Sequence, residues 1–169
     1  LARTVDTVPG PRDTTAAIAK GGQFYVEPQA HASCARHAIN AMLGRGLVSD
    51  EGLTAHNMIR ELDLTHGDIV VERRDVDARR GNYPDQVTDY LKFLHQQGTL
   101  DHDHALTNVD LGGKYPGLPK TLPAINGDRC IIATMTPEHF VAFRKDQDGD
   151  WYCLDSIGSK QTPISPADY

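Results

Sequence analysis

The sequence predicts an α+β domain, with helices first and an antiparallel sheet after them, and three observations carry that prediction. As far as Gly98, apolar residues recur at helical spacing, as in Ala38, Ile39, Met42 and Leu43, and again in Val87, Tyr90, Leu91 and Leu94. From Cys130 onward, short apolar or alternating runs separated by turn residues replace them. No internal repeat interrupts the division, and 169 residues with 39% apolar content suffice for one domain with its own core.

Residues 1–22, with Pro9-Gly10-Pro11 and little periodicity, read as an arm or linker, which leaves 23–169 as the folded unit. The chain starts with Leu1 rather than Met, as a processed product or a piece of something longer would. Phe24-Tyr25-Val26, ahead of Pro28, reads as an extended piece leading into the first helix.

That first helix places Cys34 where a loop hands over to helical backbone, with Ser33 as its candidate cap. The first-turn N–H groups of a helix are unpaired and aligned with its macrodipole, so a thiolate there is favoured over the thiol. The competing reading is a buried structural cysteine, since free Cys is among the most buried residue types.

A second helix is predicted from Ser49-Asp50-Glu51, with Ser49 as N-cap and Leu53, Met58, Ile59 and Leu62 as its apolar positions. Residues 63–80 dissolve into mixed charge, including Glu72-Arg73-Arg74-Asp75, and read as a solvated face or loop. The third helix has Pro84 in its first turn and Gly98 as its stop. Asp101-His102-Asp103-His104 alternates like a metal site but has no third ligand nearby, and 112–127 is a loop punctuated by Pro116, Pro119 and Pro123.

Cys130 to Met135 reads as a buried strand. A second strand puts His139, Val141 and Phe143 on one face and Phe140, Ala142 and Arg144 on the other, and a third is Trp151 to Asp155. Between the last two, Asp146, Asp148 and Asp150 suggest calcium, but Gly149 comes too early for an EF-hand loop and no closing Glu follows, so the stretch is a hairpin turn.

A net charge of −6 with the acidic residues spread out argues against nucleic acid as a partner. Three cysteines, at 34, 130 and 153, offer neither a disulfide framework nor paired metal-ligand spacing, which points to a reducing, cytoplasmic compartment and to no metal or cofactor. No apolar run approaches the ~20 residues that span a bilayer, and the N-terminal residues lack the apolar core of a signal peptide, so a soluble protein without a membrane partner is expected.

His139 and Asp155 lie symmetrically about Gln147, so closing the hairpin makes them neighbours across the ladder, provided the register does not slip by one. A thiol nucleophile needs an imidazole to take its proton and later protonate the leaving amine, and the imidazole needs an acceptor that fixes its tautomer. Cys34, His139 and Asp155 supply these three roles. Gln29, five residues before Cys34, adds an amide donor that, with the Cys34 backbone N–H, stabilises an oxyanion. His37 lies one turn after Cys34 and points alongside the thiol rather than across a cleft, so it and Asn40 are read as packing or hydrogen-bonding residues; His31 shapes the entrance.

These residues resemble the Josephin domain of cysteine-protease deubiquitinases. Its N-terminal signature is similar to Gln29, Cys34, His37, Asn40 and Met42-Leu43, and its approach to the middle helix to Gly81-Asn82-Tyr83-Pro84-Asp85-Gln86-Val87. Its His-bearing hairpin and tail look like Glu138 to Lys145, Trp151 to Ser156 and Pro163-Ile164-Ser165. The likeness runs in matching order from about Gln23 onward. Asp155 stands where the family carries Asn, and 44–80 has no block similar to the helical hairpin that gates the family's site and touches ubiquitin.

The resemblance implies a papain-like, Josephin-type α+β fold in which a helical subdomain carrying Cys34 packs on an antiparallel β-sheet carrying His139 and Asp155. It implies a monomeric thiol protease that cleaves after the C-terminal glycine of ubiquitin or polyubiquitin. Cys34 would then be nucleophile, His139 general base and acid, Asp155 the orienter and Gln29 the oxyanion donor. In a bacterium, which lacks ubiquitin, such an enzyme would work in the cytosol of a host cell. Two alternatives stay open: a papain-like protease or acyltransferase acting on another protein, and a ubiquitin-binding module without turnover.

Overall fold

Local signals mark several of the helix ends. The computed structural model describes residues 18–65, 76–100, 107–108, 129–135 and 138–164. Helix α1 (Cys34–Leu43) ends at Gly44, whose φ of 81° lets its N–H return to the Asn40 carbonyl at 2.8 Å. Helix α2 (Asp50–Thr65) starts at Ser49, whose Oγ accepts the Gly52 N–H at 3.0 Å. Helix α3 (Pro84–Gln96) has its proline at the first helical position, and the Gln86 side chain accepts the Tyr83 N–H at 2.9 Å. At its far end Gly98, φ 75°, donates to the His95 carbonyl at 3.0 Å.

The strands form one sheet in the order β1-β2-β3-β4-β5. They are β1 (Thr107–Asn108), β2 (Arg129–Met135), β3 (Glu138–Lys145), β4 (Trp151–Asp155) and β5 (Lys160–Pro163). Strands β2 to β5 run antiparallel, and the two-residue β1 joins β2 in parallel. Among the described residues the architecture is therefore α+β, three α-helices and a single 3-10 turn at Ala78–Arg80 with a largely antiparallel sheet.

Helix α1 lies against β3, with β2 and β4 to either side. Every α1 residue except Arg36 is buried, so the helix is central rather than amphipathic, and its apolar stripe widens to its whole circumference. Ile39, Met42, Val87, Tyr90 and Leu94 join Phe140, Ala142, Tyr152 and Leu154 in the core. Buried Arg129 donates to the Met42 carbonyl at 3.2 Å, placing a cation at the α1 C-terminus. Among the described residues no helix is long and apolar enough to cross a membrane.

Two expectations are corrected. Ser33 sits at the N-cap of α1, but its hydroxyl caps nothing and is buried without a hydrogen-bond partner among the described residues. On α2, Met58 and Leu62 are exposed, whereas Leu53, His56, Asn57 and Glu61 are buried. The inward face is held by polar contacts: His56 Nε2 meets Asp89 on α3 at 2.6 Å, and Asn57 donates to Asn82 at 2.7 Å and to the Val76 carbonyl at 3.2 Å. Those specific bonds, available only once the elements meet, outrank the apolar pattern of the isolated helix.

The end of the stretch read as an arm rests on the sheet. Ile18 packs against the core and its carbonyl accepts the Gln147 N–H, while Gln161 donates to the Gly22 carbonyl at 2.8 Å. Residues 1–17, the acidic-histidine run at 101–104 and the loop at 112–127 lie outside the described residues.

Candidate active site

The β3–β4 turn determines which side chains meet. Asp146 Oδ1 accepts the N–H groups of Asp148 and Asp150, both at 2.9 Å, and Gly149 adopts φ 85°. That oxygen is committed to the turn backbone, and no group of three metal-ligating side chains occurs among the described residues. The ladder pairs Lys145 with Trp151 and Ala142 with Leu154, so the hairpin is centred on Asp148 rather than Gln147. Continuing that register puts Asp155 opposite Val141, two residues along from His139 on the same face. The expected direct opposition is thus a diagonal one, and an even offset preserves the face.

Across that diagonal, His139 Nε2 lies 2.8 Å from Asp155 Oδ1. A carboxylate only accepts, so Nε2–H donates and Nδ1 is the nitrogen left to face Cys34, whose thiol interacts with the imidazole. Asp155 Oδ1 also accepts the Ile157 N–H at 3.0 Å, which braces the carboxylate from behind. Helix α1 therefore contributes the thiol, β3 the imidazole and β4 the carboxylate.

Gln29 is fastened to the residue after Asp155 twice over. Its backbone N–H donates to the Ser156 carbonyl at 2.9 Å, and Ser156 Oγ donates to its side-chain Oε1 at 2.7 Å. The His31 carbonyl, which only accepts, settles that Nε2 lies on its side, where it makes a long 3.3 Å bond, and so places Oε1 toward the Ser156 hydroxyl.

Compared with known proteins, the chain matches no protein-family profile, and no curated protein sequence matches it.

Electrostatics follow from these contacts. The hydrogen bonds with Asp155 and Cys34 raise His139 to about 9, against an opposing effect of burial. Burial works against ionisation of Asp155, but the bonds from His139 and the Ile157 amide outweigh it and hold the carboxyl below the usual carboxylate range. At neutral pH the site contains an imidazolium between a carboxylate and a thiol sulfur. That is the charge arrangement that stabilises a thiolate.

His37 makes its hydrogen bonds elsewhere. Its Nε2 accepts the Ala30 N–H at 3.0 Å, so Nδ1 carries the proton toward Glu27 Oε1 at 2.8 Å. Asn40 donates to Glu27 Oε1 at 3.0 Å and clamps Val48 through both its N–H and its carbonyl, at 2.8 and 2.9 Å. Glu27 also accepts from the Tyr25 hydroxyl. Burial disfavours its charge, yet the bonds from His37, Tyr25 and Asn40 prevail and keep it below its ordinary value. Sequence reasoning missed Ser156 and Glu27. Ser156 had only its adjacency to Asp155 as a signal, and Glu27 only its place in the stretch before Cys34.

Proposed function

We propose that this chain is a thiol-dependent deubiquitinase of papain-like, Josephin type, hydrolysing the peptide or isopeptide bond after the C-terminal glycine of ubiquitin. The observation that carries the chemistry is the contact series Asp155–His139–Cys34 at a helix start. The choice of ubiquitin rests on the three sequence blocks that resemble Josephin domains. It is supported by the burial of Cys34, which is only 8% exposed: a scissile bond flanked by glycine reaches a covered thiol more easily than one flanked by side chains.

In this mechanism the Cys34 thiolate attacks the carbonyl carbon, and the carbonyl electrons move onto oxygen. The Gln29 amide and the Cys34 N–H hold that oxyanion, for which Gln29 exchanges its long bond to His31. His139 gives its proton to the leaving amine as the C–N bond breaks, which leaves a thioester on Cys34 and a neutral imidazole. His139 then takes a proton from water, the hydroxyl attacks the thioester, and Cys34 departs as thiolate with the acid product released. Asp155 holds Nε2–H throughout, so Nδ1 carries the mobile proton.

The test is incubation with ubiquitin bearing a thiol-reactive electrophile at its C-terminus, read by mass. An adduct on Cys34 that is absent in Cys34→Ala supports nucleophile and substrate together. No adduct, from a Cys34 that still reacts with a small alkylating agent, overturns ubiquitin as the substrate.

A further inference from the structure

The loop between Glu27 and Cys34 carries the oxyanion donor, yet it is neither helix nor strand, and His31 within it has a φ of 54°, a conformation that costs a side-chain-bearing residue about 1 kcal/mol or more. A loop of that kind keeps its shape only where the surroundings hold it. Four of its amides are taken up: Gln29 by the Ser156 carbonyl at 2.9 Å, Ala30 by His37 Nε2 at 3.0 Å, Ala32 by the Arg79 carbonyl at 2.9 Å and Ser33 by the Ala30 carbonyl at 3.3 Å. Of these acceptors only His37 is a side chain.

We infer that His37 is a positioning residue for the oxyanion donor: its ring nitrogen holds the Ala30 amide and thereby the backbone that aims Gln29. The inference rests on the proposed thiol hydrolysis and deepens it. The ring is able to accept at Nε2 because its other nitrogen is committed. Glu27 Oε1 takes the Nδ1 proton at 2.8 Å, and Glu27 is itself fixed by Asn40 and Tyr25, so the neutral tautomer with a bare Nε2 is selected. Arg36, whose guanidinium lies 3.3 Å from the same Nε2, adds a second donor to that nitrogen. The ring is 3% exposed and its hydrogen bonds go to Ala30, Glu27 and Arg36, so its effect on the reaction passes through the loop.

The experiment is a double-mutant cycle on cleavage of ubiquitin carrying a fluorogenic amide at its C-terminus. His37→Ala lowers kcat by about ten- to a hundredfold, the scale of loss when a reacting group is misplaced by about an ångström, with KM little changed. His37→Gln, whose Oε1 offers an acceptor in a similar place, recovers most of the rate. In the Gln29→Ala background the His37→Ala loss shrinks to about twofold, because there is no longer a donor to aim.

Losses at Gln29 and His37 that simply multiply would overturn the inference while leaving the hydrolase reading intact. Wild-type protein without turnover would instead end that reading and the inference with it. For a His37→Ala chain that does not fold, amide exchange at Ala30 in wild type and His37→Gln decides the matter. Protection retained in both supports the clamp, and rapid Ala30 exchange in wild type refutes it.

Discussion

His139 donates through Nε2 to Asp155 Oδ1 at 2.8 Å from a position diagonal to it on the sheet, not directly opposite. Diagonal positions stand about 7–8 Å apart at the backbone, a gap that an imidazole and a carboxylate fill between them. The three-residue turn from Gln147 to Gly149 sets this offset. Asp155 thereby also takes the Ile157 amide on the same oxygen.

Asp155→Asn tests what the negative charge adds to that geometry. The amide oxygen still accepts from Nε2, so the tautomer and the thiol-facing Nδ1 are retained, but the attraction that holds the proton on His139 weakens. His139 should titrate well below about 9, moving back toward its ordinary value. The alkaline limb of the kcat/KM profile moves to lower pH with it. A profile unchanged between the two proteins would show that the carboxylate does not set the His139 charge.

The raised His139 also ties stability to pH. A group whose pKa is higher folded than unfolded stabilises fully below its unfolded value, about 6.5, and that contribution fades as pH climbs through the folded value, about 9. Thermal melts of wild type and His139→Gln should therefore differ most near pH 6 and converge by about pH 10. The lowered Asp155 acts in the opposite sense: its contribution is present above about pH 3.9 and is lost as the medium is acidified through its folded value.

Ser156→Ala removes the hydroxyl that donates to Gln29 Oε1 while leaving the backbone bond between the same two residues in place. The amide then loses the tether on its oxygen and is held less firmly in place. Turnover should fall about tenfold, less than the ~100-fold or more expected when Gln29→Ala deletes the donor. Steady-state kinetics on one ubiquitin substrate ranks the three proteins, and a Ser156→Ala loss equal to or greater than that of Gln29→Ala would mean that Ser156 acts elsewhere.

On α2 the exposed and buried leucines should behave differently. Leu53 is fully buried, so Leu53→Ala should cost about 3 kcal/mol in urea denaturation, from lost transfer energy and the cavity left behind. Leu62 is exposed, and Leu62→Lys should change stability by less than about 0.5 kcal/mol. A large Leu62→Lys penalty would reinstate the apolar face that the spacing alone suggests.

Much of the fold is legible because its signals act over a few residues. Ser49 caps α2, Gly98 follows the last turn of α3 and Asp146 ties the β3–β4 turn, each through bonds to backbone within four residues, while Pro84 opens α3 through its fixed φ. The limits of β2, β3 and β4 follow from apolar or alternating runs and the turns that bound them, whereas β1 and β5 go beyond the three strands that the sequence predicts. His37 and Asn40, read as hydrogen-bonding residues, are each bonded to Glu27, because buried polar groups on a fully buried helix require partners.

By itself the sequence determined the α+β order of the three long helices and of β2 to β4, with their approximate ends, and it named Cys34, His139, Asp155 and Gln29 as the candidate site residues. Tertiary structure decided which face of α2 turns inward, how far the hairpin register is offset, and that Ser156 and His37 grip the two sides of Gln29's loop. The reason is the range of the forces. Caps and turns are settled by neighbours in the chain, whereas a partner 127 residues away, as Ser156 is from Gln29, is chosen only when packed elements bring the two together.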